Sequence, residues 1–208
     1  MKFIHKGPEP ETLKEFKALS NPPDWVASYD SLPKTRKDII KKALIEEQKG
    51  LCCYCECRVT VLDSHIEHFK PQHTFAEYAL DYNNMLCSCM VEQTKGTPLH
   101  CGMAKKDWFE ETKLISPLDL NCEAHFKYLG NGTILPKDND DVAAKETIKH
   151  LRLDDKELTA KRKEVIDVFL DASLTEEERN RFLLAYIDEH QRMLPPFVSA
   201  VKSVLLNM

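Results

Sequence analysis

Four short stretches of this chain hold residues whose types and spacing suit metal binding and phosphoryl chemistry. They are Cys52-Cys53-Tyr54-Cys55-Glu56, Ile66-Glu67-His68-Phe69, Asn84-Met85-Leu86-Cys87-Ser88-Cys89 and His100-Cys101-Gly102-Met103-Ala104-Lys105. A structural zinc ion takes four soft ligands in a tetrahedron, and a Cys-x2-Cys spacing lets two sulfurs of one turn reach the same ion. Cys52 and Cys55 have that spacing. The second pair comes from Cys87, Cys89 and Cys101. Cys87 and Cys89 would share one face of a strand, but Cys89 with Cys101 is preferred, because Cys101 leads into an expected helix. The expected zinc set is therefore Cys52, Cys55, Cys89 and Cys101. His65 and His100 are fallback ligands, and Cys53, Cys57, Cys87 and Cys122 are read as ordinary buried thiols.

The Glu67-His68 dipeptide suits phosphodiester hydrolysis, which needs an activated water and a cation to neutralise charge on the scissile phosphate. His68 can act as general base, because an imidazole titrates near neutrality. Glu67 can place a hard oxygen on Mg²⁺ or Mn²⁺. Asn84 can orient the His68 ring or add an amide oxygen to that metal. Adjacent residues of a strand point to opposite faces, so a direct Glu67–His68 pair would require the strand end to twist.

At these residues the chain resembles the HNH (ββα-metal) nucleases. More narrowly, it looks like the PtuB-like HNH subunits of Septu-type and retron-associated anti-phage systems. The shared pattern is Cys-x-Tyr-Cys-Glu, Ile-Glu-His-Phe-x-Pro, Tyr-x-Asn-Met-Leu-x-Ser-Cys and His-Cys-Gly-x-x-Lys, with a further stretch from Ile115 to Gly130; it covers about residues 30–135. The resemblance implies a structural Zn²⁺, a catalytic Mg²⁺ or Mn²⁺, His68 as base, Glu67 as metal ligand and Asn84 as the middle letter. It also implies a PtuA-like ATPase that gates the nuclease and, in retron systems, a reverse transcriptase with its RNA/DNA product. One departure stands out. The wider family usually has His or Asn directly after the last zinc cysteine, whereas here Gly102 follows and His100 precedes Cys101. His100 is the candidate for that last ligand.

These residues need a scaffold. The hydrophobic pattern and stop signals predict helices over residues 11–19, 34–48, 102–112, 142–151, 156–170, 176–193 and 196–206. Residues 52–71 read as a zinc knuckle followed by a β-hairpin, and 116–136 as loop-rich, with a turn at Gly130-Asn131-Gly132. The last helix is apolar on most sides; the chain's own core is preferred for it, and its side chains from Leu194 to Leu206 are also read as offering the ATPase a docking surface. The expected fold is α+β: a zinc-stapled ββα-metal core in a mainly helical scaffold. The expected domains are an N-terminal helical segment over 1–50, the nuclease core over 51–135 and a helical region over 136–208.

Composition narrows the setting. The chain has 208 residues, 42% hydrophobic and 30% charged, as in an ordinary soluble globule. It has no apolar run long enough to cross a bilayer, and the first residues lack the apolar stretch of a signal peptide. A cytoplasmic protein without membrane contact is expected, in which the eight cysteines are reduced and serve as ligands or spares. A net charge of −5 argues against a free-standing binder of bare nucleic acid. Residues 51–125 hold 6 basic against 11 acidic side chains, and the densest basic cluster is Lys34, Arg36, Lys37, Lys41 and Lys42. The expected activity is therefore endonucleolytic cleavage of nucleic acid, DNA before RNA, by a chain working in a complex. A non-catalytic zinc adaptor of the ATPase is the competing reading.

Overall fold

The computed structural model describes residues 1–90 and 98–206. Helices α1 (Glu11–Ala18) and α2 (Lys34–Glu47) lead into the first cysteine knuckle. Helix α2 follows Pro33 and buries Ile40, Leu44 and Ile45 on one stripe. It ends in a 6→1 closure, in which Gly50 at φ +77° donates to the Ile45 carbonyl at 2.8 Å.

The knuckle is a tight loop. Leu51 bridges Arg58, the Cys52 N–H donates to Cys57 O at 2.8 Å, and Glu56 sits at φ +64°. Residues 52–71 do not form the expected hairpin. Strand β1 (Ser64–His68) pairs instead with β2 (Met85–Cys89), antiparallel, with Glu67 opposite Leu86 and His68 opposite Met85. The reason lies in the local sequence: the Asp63 side chain takes the Thr60 N–H, and the Lys41 ammonium holds the carbonyls of Val61 and Ser64. That leaves 59–63 as a bend with its hydrogen bonds spent locally. Both strands are almost wholly buried, and the outer edge of β2 is closed by the Gln48 side chain, which binds both backbone groups of Cys87 at 2.7 and 2.8 Å.

Helix α3 (Gly102–Lys105) follows Cys101 and is much shorter than the sequence suggests. Lys106 adopts φ +51°, which a continuing right-handed helix does not accommodate. The loop-rich stretch contains a second small hairpin, β3 (Phe126–Tyr128) with β4 (Ile134–Pro136), turning through Gly132 at φ +83°.

Helices α4 (Val142–Leu151), α5 (Lys156–Leu170), α6 (Glu176–Tyr186) and α7 (Val198–Leu205) complete the chain. Asp141, Asp155 and Thr175 cap the first three with side-chain oxygens. The sequence ran α6 on to residue 193, but the helix closes at Tyr186. Helix α7 buries Val198, Ala200, Val201 and Val204, so these side chains belong to the chain's own core, the preferred sequence reading, and are not open to a partner as the docking reading had them. One hydrophobic cluster runs from Met1 to Val204 and includes the cysteine knuckle, both hairpins and α4, α5 and α7. The fold is α+β, with mixed helices and two small sheets. Among the described residues no helix is long and apolar enough to cross a membrane.

Candidate metal centre and active site

The knuckle brings Cys52 and Cys55 to the end of β2, where Cys89 leaves the strand, and the start of α3 supplies Cys101. The four sulfurs lie within 4.8 Å of one another and all four residues are buried. A tetrahedral zinc with bonds of about 2.3 Å sets its sulfurs roughly 3.8 Å apart, and Cys55 Sγ lies 3.7 Å from Cys89 Sγ. Backbone N–H groups already point at two of the sulfurs: Cys57 N at 3.4 Å from Cys55 Sγ and Cys89 N at 3.3 Å from Cys52 Sγ. Burial and the neighbouring sulfurs push the Cys101 thiol well above its ordinary range. Four thiolates so placed need a soft cation, and the donor set fits zinc. Cys53, Cys87 and Cys122 are buried outside this group, and Cys57 is partly buried.

Strand β1 leads from this cluster to the acid–His dipeptide, and its alternation separates the two residues. His65 and Glu67 share one side: His65 Nε2 is 3.4 Å from Glu67 Oε2. Glu67 Oε1 accepts from the Tyr54 hydroxyl at 3.1 Å and pairs with the Lys105 ammonium at 2.9 Å. Burial works against the charge on Glu67, but His65 and Lys105 overcome it and hold the carboxyl below its ordinary range. His68 lies apart, its ring edge-on to Tyr29 with centroids 4.5 Å apart. Its Nε2 lies 3.0 Å from the Ala79 carbonyl. Because a carbonyl only accepts, Nε2 carries the proton and Nδ1 of the neutral ring keeps its lone pair. Burial lowers the His68 pKa, so the neutral, proton-accepting form prevails.

Asn84 precedes β2, and its amide is committed to backbone. Oδ1 accepts the Lys70 N–H at 2.7 Å, and Nδ2 donates to the carbonyls of Lys70 and Tyr78 at 2.9 and 3.2 Å. It therefore clamps both ends of the 70–78 segment, and the residue that follows, Ala79, presents the carbonyl that fixes the His68 tautomer.

The chain matches no family model. It is 30% identical over 138 residues to the protein named retron Vc95 putative HNH endonuclease from Vibrio cholerae serotype O1 biovar El Tor, an alignment covering 63% of this chain and 65% of that protein. It is 38% identical over 55 residues to the Septu protein PtuB of Bacillus thuringiensis, covering 26% of this chain and 21% of that protein. These likenesses support an HNH-type, PtuB-like protein. The matched stretch thus spans less than two thirds of either relative.

Within this chain the four cysteines singled out for zinc come together, and Glu67 and His68 sit side by side on β1. Among the described residues no hydrogen bond or ion pair joins those two side chains. Among the described residues no hydrogen bond or ion pair links His100 to Glu67, and His100 Nδ1 lies 3.2 Å from Cys101 Sγ and 3.6 Å from Cys89 Sγ. The basic cluster on α2 is largely engaged within the fold. Arg36 donates to Thr12 on α1, Lys41 holds the loop before β1, and Lys37 lies 4.3 Å from the Tyr29 ring centroid. Only Lys37 of these three sits beside the His68 neighbourhood.

Two residues around Glu67 had no role in the sequence reading, Tyr54 and Lys105, and a third, His65, entered it only as a fallback zinc ligand. The alternation of a strand could have flagged His65, since positions two apart share a face. Tyr54 and Lys105 were visible only as letters of the motif.

Proposed function

We propose that this chain is a divalent-metal-dependent endonuclease that hydrolyses phosphodiester bonds of nucleic acid, DNA before RNA. In this reading it is the effector of an anti-phage defence system and works with a PtuA-like ATPase. Residues 51–135 form its zinc-stapled ββα-metal core, between helical segments 1–50 and 136–208. The observation that carries the reading is the state of His68, a buried neutral imidazole with Nε2–H tied to Ala79 O and Nδ1 left to accept a proton, one residue from an ionised Glu67.

Each residue then has a task. Cys52, Cys55, Cys89 and Cys101 hold Zn²⁺, which fixes the start of α3 against β1 and β2. Glu67 holds the catalytic Mg²⁺ or Mn²⁺, which supplies charge neutralisation at the phosphate when bound. His68 Nδ1 takes the proton of the attacking water. Asn84 keeps the Ala79 carbonyl in place and so orients the base, acting through backbone rather than as a metal ligand. Lys105, whose ammonium also donates to the His68 carbonyl at 3.0 Å, ties α3 to the strand end.

Cleavage of supercoiled DNA and of structured RNA, with Mg²⁺ or Mn²⁺ and with the co-expressed ATPase, tests this directly. His68→Ala should lower the rate by about 10²–10⁴-fold, with zinc content and far-UV circular dichroism unchanged. Cleavage near the wild-type rate in that variant would remove His68 as the base. A complex that cleaves neither polymer in any metal would leave the zinc adaptor as the reading.

A further inference from the structure

The seam between β1 and α3 holds two donor atoms that the zinc cluster and His68 do not use. Glu67 Oε1 is committed to Tyr54 and Lys105, which leaves Oε2 facing His65 Nε2 at 3.4 Å. His65 Nδ1 lies 2.5 Å from the Met90 carbonyl. That carbonyl can only accept, so Nδ1 carries a proton, and Nε2 is the ring nitrogen turned to Oε2, the one that would face a shared cation. Two donors each about 2.1 Å from a common cation, at angles of 90–110°, lie roughly 3.0–3.4 Å apart. The observed separation falls in that range.

The floor of this pair is Gly102. A Cβ at Gly102 would overlap Glu67 Oε2 and come within 2.6 Å of His65 Nε2. Gly102 has no special φ that would demand glycine, and it opens a helix, where glycine is a poor residue. The reason for glycine here is the room it leaves at the two donor atoms.

Resting on the nuclease reading above, we infer that His65 is the second protein ligand of the catalytic divalent cation. His65 Nε2 and Glu67 Oε2 hold the ion over Gly102, on the side of β1 away from the His68 ring. His65 thereby fills the place for which His100 was the sequence candidate, since His100 is turned to the cysteine sulfurs. A site with one imidazole, one carboxylate oxygen and open positions for water and phosphate oxygens suits Mn²⁺ or Mg²⁺. Glycine after the last zinc cysteine is then no loss of a ligand, because the opposite strand supplies it.

The test reads metal binding apart from cleavage, on the zinc-loaded chain with its ATPase. Mn²⁺ affinity is measured by electron paramagnetic resonance of the free ion, alongside cleavage, zinc content and thermal unfolding. His65→Ala should weaken Mn²⁺ by at least the 10–100-fold typical of disturbing a metal site, with zinc retained. Gly102→Ala leaves both ligand residues in the sequence while its methyl meets Oε2, so it should displace Mn²⁺ to a similar degree, with zinc content and the thermal transition reporting that the fold is retained. His68→Ala should leave Mn²⁺ affinity within about twofold while cleavage is lost. Wild-type Mn²⁺ affinity in both His65→Ala and Gly102→Ala would overturn the assignment and leave His65–Glu67 a plain ion pair. Mn²⁺ binding that depends on His65 in a complex that cleaves no nucleic acid would support the site and refute the nuclease reading instead.

Discussion

At the residue scale, Asn84 and Lys105 act on the candidate site through backbone and charge. Asn84 is buried with one acceptor and both donors in use, so Asn84→Ala strands the Lys70 N–H and two carbonyls. Leaving such groups unpaired costs about 1–3 kcal/mol each where water cannot reach them. We expect a loss of about 2–4 kcal/mol in urea unfolding, with faster amide exchange across residues 70–79. Asn84→Asp, which can still accept from Lys70 but cannot donate, should fall between wild type and Ala. A variant as stable as wild type would show that the clamp contributes nothing. Lys105→Met removes the ammonium that faces Glu67 at 2.9 Å in a site where both side chains are nearly inaccessible. Breaking a buried pair from one side typically costs about 3–5 kcal/mol. The double variant Lys105→Met/Glu67→Gln should recover part of that loss, and failure to recover any of it would argue that Lys105 acts through packing alone.

At the element scale, α4 starts on Asp141, whose Oδ1 accepts the Ala144 N–H at 2.8 Å and whose Oδ2 pairs with His125 at 2.6 Å. Partial burial opposes its charge, yet the Ala144 N–H and His125 keep the carboxyl below its ordinary range. Such a group stabilises the fold above its unfolded pKa, and the contribution disappears as pH falls through the lower folded value. Asp141→Ala should therefore cost about 1 kcal/mol at pH 7, with the difference from wild type shrinking as the pH drops below 4. A difference that stays constant down to pH 2 would exclude a charged cap. The β3–β4 turn carries a sharper constraint. Gly132 sits at φ +83°, and a Cβ there would overlap the Thr159 carbonyl and approach the Lys163 nitrogen to 2.8 Å. Arg162, fully buried, also donates to the Gly132 carbonyl at 3.2 Å. Gly132→Ala should lower stability by about 2–3 kcal/mol and separate the hairpin from α5, read as a matched fall in the denaturation midpoint.

At the scale of the whole molecule, one core joins the cysteine knuckle to the C-terminal helices. The Glu56 carboxylate at its turn takes the Ser199 N–H at the start of α7 at 2.9 Å, and the Glu56 carbonyl accepts from Phe197 at 3.1 Å. Loss of zinc should therefore propagate: a strong chelator at neutral pH should abolish near-UV circular dichroism and the cooperative thermal transition together. A transition unchanged by complete zinc removal would show that packing alone maintains the knuckle. The same connection changes what a C-terminal lesion means. Val201 is fully buried, so Val201→Asp should lower stability by more than about 4 kcal/mol and should not be read as removal of a docking face. A partner ATPase is better sought through surface substitutions that leave α7 intact.

The sequence by itself determined the parts that depend on local spacing. Cys-x2-Cys selects one turn around one ion, the 3.6-residue period and its stops located α1, α2, α4 and α5 almost to the residue, and Gly130-Asn131-Gly132 marked a turn. Local patterns could also order the cysteines correctly, because a ligand leading into a helix is a frequent arrangement. What they could not decide was which segments pair. Residues 59–61 have strand-forming side chains, but Lys41 and Asp63 take their backbone and loop partners, and β1 finds β2 across residues 69–84 instead. The length of α3 and the end of α6 were likewise set by tertiary closure rather than by propensity. Strand alternation alone puts His65 on the face of Glu67; only the three-dimensional arrangement showed that Lys105 joins them, that His68 turns to Tyr29 and Ala79, and that Gly102 lies beneath the first pair. Neighbours in sequence on a strand face opposite ways, so the partners of a catalytic acid are chosen by what packs on each face, and that is a property of the folded chain.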